Sequence, residues 1–376
     1  MIKILFFIEE LVGGGAEKVL QNLANNMDQS QFDITVQSVW PYQGEKILAP
    51  GIRYKSLYPV KNRITEHIYR LEAAAGLAYR LHMKDNYDIE CAFLEHGPTK
   101  ILASSTNKKA RKYAWVHCDL SRALAGYVHN SYEAFAAKTY KWYQKYDCVI
   151  CVSETVKDSF DRIFNSAFRS EVLYNVVDDA LIRHKAEALI PNLAKRRLTM
   201  LAVGTMYPPK NYPRLLRAHE KLLQAGIEHD LWILGDGVER PKIEQFIQEH
   251  DLTESVTLFG FQNNPYPYMK AADLIVCSSN YEGFSTVITE SIILGKPVVT
   301  TECSGMKEIL GENEYGLITE NSDEPFFEGV LQLLTDETLR AHYAAKAAER
   351  GTDFSMQKLV SQVEQFFKTS VREVTR

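Results

Sequence analysis

Long apolar runs are missing from this 376-residue chain, and none is long enough to cross a bilayer. The opening stretch Met1-Ile-Lys-Ile-Leu-Phe-Phe-Ile8 has too short an apolar core before Glu9-Glu10 for a signal peptide. The expectation is a cytoplasmic protein, with any membrane contact peripheral and on the inner face of the cell membrane. Cysteine is scarce. Six residues (Cys91, Cys118, Cys148, Cys151, Cys277 and Cys303) are too few for a disulfide scaffold, and most lie in apolar runs where a thiol packs as a small hydrophobe. Cys148 and Cys151 form a C-x-x-C, but Asp147-Cys-Val-Ile-Cys-Val152 reads as a buried strand that points them to opposite faces, so neither redox nor zinc chemistry is expected. An excess of either charge is lacking too. Against 43 basic residues stand 48 acidic ones, net −5, whereas a nucleic-acid binder carries a strong basic surplus. There is no repeat, no low-complexity tract, no G-x-S-x-G, no H-E-x-x-H and no clustered aspartate pair. A reaction without metal or cofactor is favoured.

What is present is alternation. Short apolar runs, each followed by a longer segment of helical periodicity, recur along the chain and predict an α/β protein of parallel sheets covered by helices. The runs are Ile2 to Ile8, Phe32 to Val39, Ile89 to Leu94, Tyr113 to Val116 and Cys148 to Val152, then Leu198 to Val203, Leu231 to Leu234, Val256 to Phe259, Leu274 to Cys277 and Pro297 to Thr300. Each set suffices for its own doubly wound domain. Asn175-Val-Val-Asp-Asp179 and Leu189-Ile-Pro-Asn192 read as turn and connector, placing the boundary between about 180 and 196. The final segment, Met356 to Val371, has helical spacing and could pack on either domain. Charge is uneven: residues 51–150 hold 16 basic against 9 acidic residues, and residues 191–376 hold 19 against 26.

Four segments could carry chemistry. Leu11-Val-Gly13-Gly14-Gly15-Ala-Glu17-Lys18 lies between the first strand and a helix, where glycines bring backbone N–H groups to a phosphate; the plain alternative is a tight turn needing positive φ. The dinucleotide fingerprint fails there, because its third glycine position is Lys18. Ser279-Asn-Tyr-Glu282-Gly283-Phe284-Ser285, running on to Glu290, Gly295 and Pro297, puts two carboxylates in and after a loop at a ligand-binding sheet edge, where each can accept hydrogen bonds from a sugar diol. Alternatively Glu282 is a capping acid and Glu290 a solvated helix residue. Gly204-Thr205 leads to Lys210, which can reach a phosphate or stand solvated in a loop. Trp115-Val116-His117 places a histidine at the ligand end of a strand, as a site residue or a simple hydrogen-bonding one.

On these residues, together with Val152-Ser153, Asn175-Val-Val-Asp178 and Leu234-Gly235-Asp-Gly237, the chain resembles the retaining glycosyltransferases of family 4 over essentially its whole length. The resemblance implies the GT-B fold of two facing Rossmann-like domains. These would be residues 1–185, with 355–376 crossing back, for the acceptor, and 186–354 for the nucleotide sugar. It further implies His117, Glu282 and Lys210 at the reaction centre. Gly14, Gly15, Gly204, Thr205, Gly235, Gly283, Phe284, Ser285 and Glu290 would line the donor, with Glu290 on the ribose diol. Relatives usually carry an arginine where this chain has Thr205, which leaves Lys210 and helix N-termini to neutralise the leaving diphosphate.

The expected activity is transfer of a hexose or N-acetylhexosamine, from UDP as the usual carrier, to a saccharide or polyprenyl-linked saccharide with retained configuration and no metal. The alternatives are a non-catalytic partner subunit of a transferase, or a nucleotide-sugar epimerase of the same fold. The basic cluster 107–112 and a stripe of Lys138, Lys141 and Lys145, opposite Phe135, Trp142 and Tyr146, suggest an anionic membrane surface or, more plainly, a solvated helix face.

Overall fold

The computed structural model describes residues 1–372 except 12–13, 43–46, 122–131, 191–192 and 194. Gly13, Pro191, Asn192 and residues 373–376 of the expected C-terminal segment therefore lie outside the described residues. The chain forms two units, Met1–Val176 with Met356–Arg376, and Val177–Ser355.

In the first unit the strands β1 (Ile2–Ile8), β2 (Phe32–Ser38), β3 (Arg53–Ser56), β4 (Ile89–Ala92), β5 (Arg111–Val116), β6 (Cys148–Cys151) and β7 (Ser170–Val172) form one parallel sheet in the order β3-β2-β1-β4-β5-β6-β7. Helices α1 (Gly15–Asn26), α2 (Arg63–Ala75), α3 (Ala78–His82), α4 (Gly97–Leu102), α5 (Tyr132–Tyr143) and α6 (Glu154–Ile163) are its connections. The central strand is fully buried from Ile4 to Ile8, which is why it reads as one unbroken apolar run. The edge strands were not visible as such runs: β3 is Arg-Tyr-Lys-Ser and mostly exposed, and β7 is Ser-Glu-Val and only half covered. Strand β6 is buried throughout, and burial pushes the Cys148 thiol up to about 12 and the Cys151 thiol well above its ordinary value, so neither is a thiolate.

In the second unit β8 (Thr199–Val203), β9 (Asp230–Leu234), β10 (Val256–Gly260), β11 (Leu274–Cys277), β12 (Val298–Thr301) and β13 (Leu317–Thr319) make a parallel sheet in the order β10-β9-β8-β11-β12-β13. Its helices are α7 (Asp179–Lys185), α8 (Tyr212–Gln224), α9 (Arg240–Glu249), α10 (Tyr266–Ala271), α11 (Thr286–Ile293), α12 (Met306–Leu310), α13 (Asp323–Thr335) and α14 (Glu337–Arg350). The division between units falls at Val176–Val177, earlier than the connector composition suggests. The reason is α7, which buries Ile182 and is tied to the second unit where Asn264 Nδ2 donates to the Lys185 carbonyl at 2.9 Å. The last helix, α15 (Met356–Arg372), belongs to the first unit. Its Phe367 meets Phe6 and Tyr113 at 6.1 and 5.7 Å between ring centroids, and Glu364 Oε1 accepts from the Asp28 N–H at 2.7 Å.

One polar chain runs through the packing of the second unit. The His229 Nδ1–H donates to the Ile227 carbonyl at 2.8 Å, so its Nε2 accepts from His219 Nδ1 at 2.8 Å, and His219 Nε2 faces Ser255 Oγ at 2.9 Å. Both rings are fully buried. Burial, then the neighbouring His229, lowers the His219 pKa from 6.5 to about 3, and burial lowers that of His229. The unfolded chain thus binds protons that the folded one refuses, and stability is complete above 6.5 and falls as the pH drops from there towards 3. His219 alone costs about 2 kcal/mol at pH 5. Denaturation midpoints at pH 7.5 and pH 5 check this, and equal midpoints would exclude it.

Candidate active site

A doubly wound sheet opens a crevice at the carboxyl edge where the strand order reverses. In the second unit that reversal lies between β8 and β11, and the loops following these two strands carry the predicted residues. Past β8, Gly204 and Thr205 lead into a short 3₁₀ turn, Pro208–Lys210, which ends at Asn211 in the left-handed region (φ 47°). Asparagine tolerates that backbone, and its side chain caps α8 by accepting from the Arg214 N–H at 3.4 Å. The turn delivers Lys210 across the crevice to the β11 loop, where its Nζ donates to Glu282 Oε1 at 2.6 Å. Ser279 Oγ donates to the same oxygen at 2.7 Å, which leaves Glu282 Oε2 without a partner among the described residues. Burial alone would push the Lys210 ammonium down; the Glu282 carboxylate outweighs it and holds the group above the usual lysine range.

Helix α11 starts directly after Ser285, its cap, whose side chain accepts from the Ile288 N–H at 3.5 Å. The Ser285 hydroxyl is thus committed to the helix. The Phe284 ring is buried, 6.2 Å from Phe354, so only the backbone of this predicted donor residue faces the loop. Gly305, after β12, lies against that backbone: a Cβ there would stand 2.7 Å from the Gly283 carbonyl oxygen. Glu290 is no solvated helix residue. It is 3% exposed, and its Oε1 accepts from Tyr266 OH at 3.1 Å. Gly204 and Gly235, after β8 and β9, touch backbone to backbone. Gly235 has φ +141°, and a Cβ on it would collide with the Gly204 carbonyl.

Three residues that sequence reasoning missed hold this edge in place. Asn321 Nδ2 donates to the Asn280 carbonyl at 2.9 Å and the Glu302 carbonyl at 3.1 Å, while its Oδ1 accepts from Arg214 Nη1 at 2.7 Å. Buried Arg214 also donates to the Ser278 carbonyl at 3.2 Å and pairs with Asp323 at 3.1 Å. Ser279 lies in the motif read from sequence, but nothing in its spacing marks it as the residue that orients Glu282.

In the first unit the strand order reverses between β1 and β4. Neither Gly14 (φ −97°) nor Gly15 has positive φ, so strain does not explain them. Gly14 makes room instead for the Glu17 carboxylate, which folds back over the start of α1; burial, opposed by its own backbone N–H and helped by Glu10, raises the Glu17 pKa. His117 follows β5. Its backbone N–H donates to Glu95 Oε1, which also accepts from Cys118 N at 3.0 Å. Its ring lies over Trp115 with an interplanar angle of 16°, and its Nε2 is shielded from solvent without a hydrogen-bond partner. Burial, only partly offset by Glu95, lowers the His117 pKa to about 4, so the ring is neutral above that value. The structure thus joins Gly204, Lys210 and Glu282 in one unit and sets Gly14, Gly15 and His117 in the other.

The basic stretches come out differently from their spacing. In 107–112, Ala110 is buried, Arg111 pairs with Asp147 at 2.6 Å, and the segment leads into the start of β5, at the opposite end of the sheet from the ligand edge. Lys145 lies beyond the end of α5 at Tyr143, and Tyr143, not Trp142, is the residue buried in the core.

Comparison with known proteins fits this geometry. Residues 13–181 match the model described as Glycosyltransferase Family 4, and residues 186–350 that of Glycosyl transferases group 1. The chain belongs to the family 4 glycosyltransferases and is a transferase of the GT-B fold. It is 33% identical, over 96% of its length and 97% of the relative's, to the N-acetylgalactosamine-N,N'-diacetylbacillosaminyl-diphospho-undecaprenol 4-alpha-N-acetylgalactosaminyltransferase of Campylobacter jejuni. It is 24% identical, over 94% of its length and 96% of the relative's, to the amylovoran biosynthesis glycosyltransferase of Erwinia amylovora. Among solved structures, HepE of Anabaena in complex with UDP and glucose aligns at TM-score 0.77 and 19% identity, covering 98% of this chain and 100% of that one. Sucrose-phosphate synthase of Thermosynechococcus elongatus aligns at TM-score 0.83 and 17% identity, covering 99% and 100%.

Two substitutions test the geometry of this edge. Gly235→Ala should lower the unfolding free energy by about 2 kcal/mol or more, because both backbone conformation and the Gly204 carbonyl oppose a Cβ. Ser279→Ala, which frees Glu282 to turn, should cost turnover roughly tenfold while shifting the melting temperature little. A melting temperature unchanged in the first variant, or a rate unchanged in the second, would refute the respective assignment.

Proposed function

We propose that this transferase moves a hexose or N-acetylhexosamine from a UDP-sugar to a saccharide carried on a polyprenyl diphosphate, with retention of configuration and without a metal ion. The observation that carries it is the Lys210–Glu282 pair spanning the crevice between β8 and β11. Glycosyl transfer leaves negative charge on the departing diphosphate and positive charge on the sugar ring. In this reading Lys210 meets the diphosphate, together with the amides of Gly283 to Ser285. The open Oε2 of Glu282 accepts from the sugar hydroxyls, and Glu290 accepts from the ribose diol. In the first unit the Gly14–Gly15 turn is the candidate for a substrate's anionic group, and neutral His117, with its unpartnered Nε2, the candidate for a sugar or acceptor hydroxyl. The leaving phosphate takes the acceptor proton as the new glycosidic bond forms and the C1–O bond to phosphate breaks, so no protein nucleophile is needed. Fixed donors aimed at that phosphate do in this scheme what a divalent ion would do elsewhere.

The choice of UDP draws on the nucleotide in the HepE complex, and the polyprenyl acceptor on the name of the Campylobacter relative. The alternatives of epimerase and silent subunit lose their ground, since family and named relatives are transferases.

Lys210→Ala should slow transfer roughly ten- to a hundredfold, the worth of one charge-assisted hydrogen bond. EDTA should leave the rate unchanged, and NMR of the product should show the anomeric configuration of the donor. Loss of turnover in EDTA would remove the metal-free scheme, and inverted product would remove retention.

A further inference from the structure

The first unit has a crevice of its own. Strand order reverses between β1 and β4, so the segments after these strands part at the ligand edge as those after β8 and β11 do. One lip is Glu9, directly after β1; the other is His96 and Gly97, where α4 begins. His96 holds φ 65° with ψ −101°, a combination that L residues rarely adopt. Beyond it, Gly97 lies against the opposite lip. A Cβ on Gly97 would stand 2.8 Å from Tyr69 OH and 3.1 Å from Glu9 Oε2, so both groups occupy room that only a glycine leaves. Tyr69 comes from α2, its ring edge-on to Trp40 at 5.5 Å and to Tyr58 at 6.2 Å between centroids.

Neither group is used by the fold. Among the described residues no hydrogen bond or ion pair engages the Glu9 carboxylate or the Tyr69 hydroxyl, and Lys61, the lysine that faces Glu9, pairs with Glu10 instead. Burial and then Glu10 raise the Glu9 pKa against the pull of Lys61 and His96. A half-buried carboxylate held short of donors gains most from a ligand that brings them. Its surroundings select that ligand. Glu10 beside it repels an anion, and no group of three histidine, cysteine or acidic side chains among the described residues could hold a metal ion. An uncharged sugar ring suits the site: a carboxylate accepts from a vicinal diol, or from a hydroxyl and an acetamido N–H, while a phenol donates as well as accepts.

We propose that Glu9 and Tyr69, at the bare face of Gly97, form a subsite for one uncharged sugar ring, the carboxylate accepting from two of its donors and the phenol bonding a third group. That the ring is the acceptor's rests on the transfer reading; that a sugar binds here does not. The test is saturation-transfer-difference NMR of the full chain with UDP and the methyl glycosides of glucose, galactose, N-acetylglucosamine and N-acetylgalactosamine. At least one should bind. Its affinity should fall roughly tenfold in Glu9→Gln and severalfold in Tyr69→Phe, substitutions that keep the shape of each side chain, and should hold in Glu282→Ala, which alters the second unit. If Glu9→Gln lowers the melting temperature, Tyr69→Phe decides. The subsite is overturned if none of the four glycosides binds, if the deciding variant binds like the parent, or if Glu282→Ala removes the binding instead. A chain that hydrolyses UDP-sugar but shows no binding dependent on Glu9 loses this subsite and keeps the transfer reading; one that binds a glycoside through Glu9 but turns over no nucleotide sugar does the reverse.

Discussion

Winding a parallel sheet outward in both directions forces a gap between the loops of two neighbouring strands, and in the second unit the candidate site residues gather around that gap. Strands β8 and β11 are hydrogen-bonded neighbours whose following segments diverge, one towards β9 and the other towards β12. Lys210 and Glu282, seventy-two positions apart in sequence, are the side chains that close it. The rest of the edge serves their placement. Asn211 turns the chain towards the crevice, Ser279 fixes the carboxylate, and Asn321 with Arg214 binds the β8, β11 and β12 loops into one frame.

The central strands were legible because both of their faces are buried, which removes polar residues from the run. Strands β3, β7 and β13 were not, since an edge strand of three or four residues with one face wet carries no such signal. The same distinction holds at the site. Glu282 and Lys210 in their loops, Ser285 at the helix start and Glu290 inside the helix could be picked out as candidates by residue type and by their place after a buried strand. Their mutual arrangement could not, because Asn321 and Arg214 act through hydrogen bonds to backbone carbonyls that leave no pattern in sequence.

The ionisable groups are set by their packing. At the ligand edge of the second sheet the Lys210 ammonium keeps its proton despite burial because Glu282 stands beside it. At the ligand edge of the first sheet burial keeps His117 neutral, as it does His219 in the packing beneath α8. Both devices tie ionisation to packing, so a change that loosens the surroundings of any of these groups alters its charge as well as its position.

The turn at the start of α1 carries its own anion. The Glu17 carboxylate folds back over that helix end, in the room that Gly14 leaves by having no side chain. Any second anion brought to this turn would first have to expel or neutralise the resident one, so a helix end that a sequence pattern marks as open to negative charge is in this chain already taken.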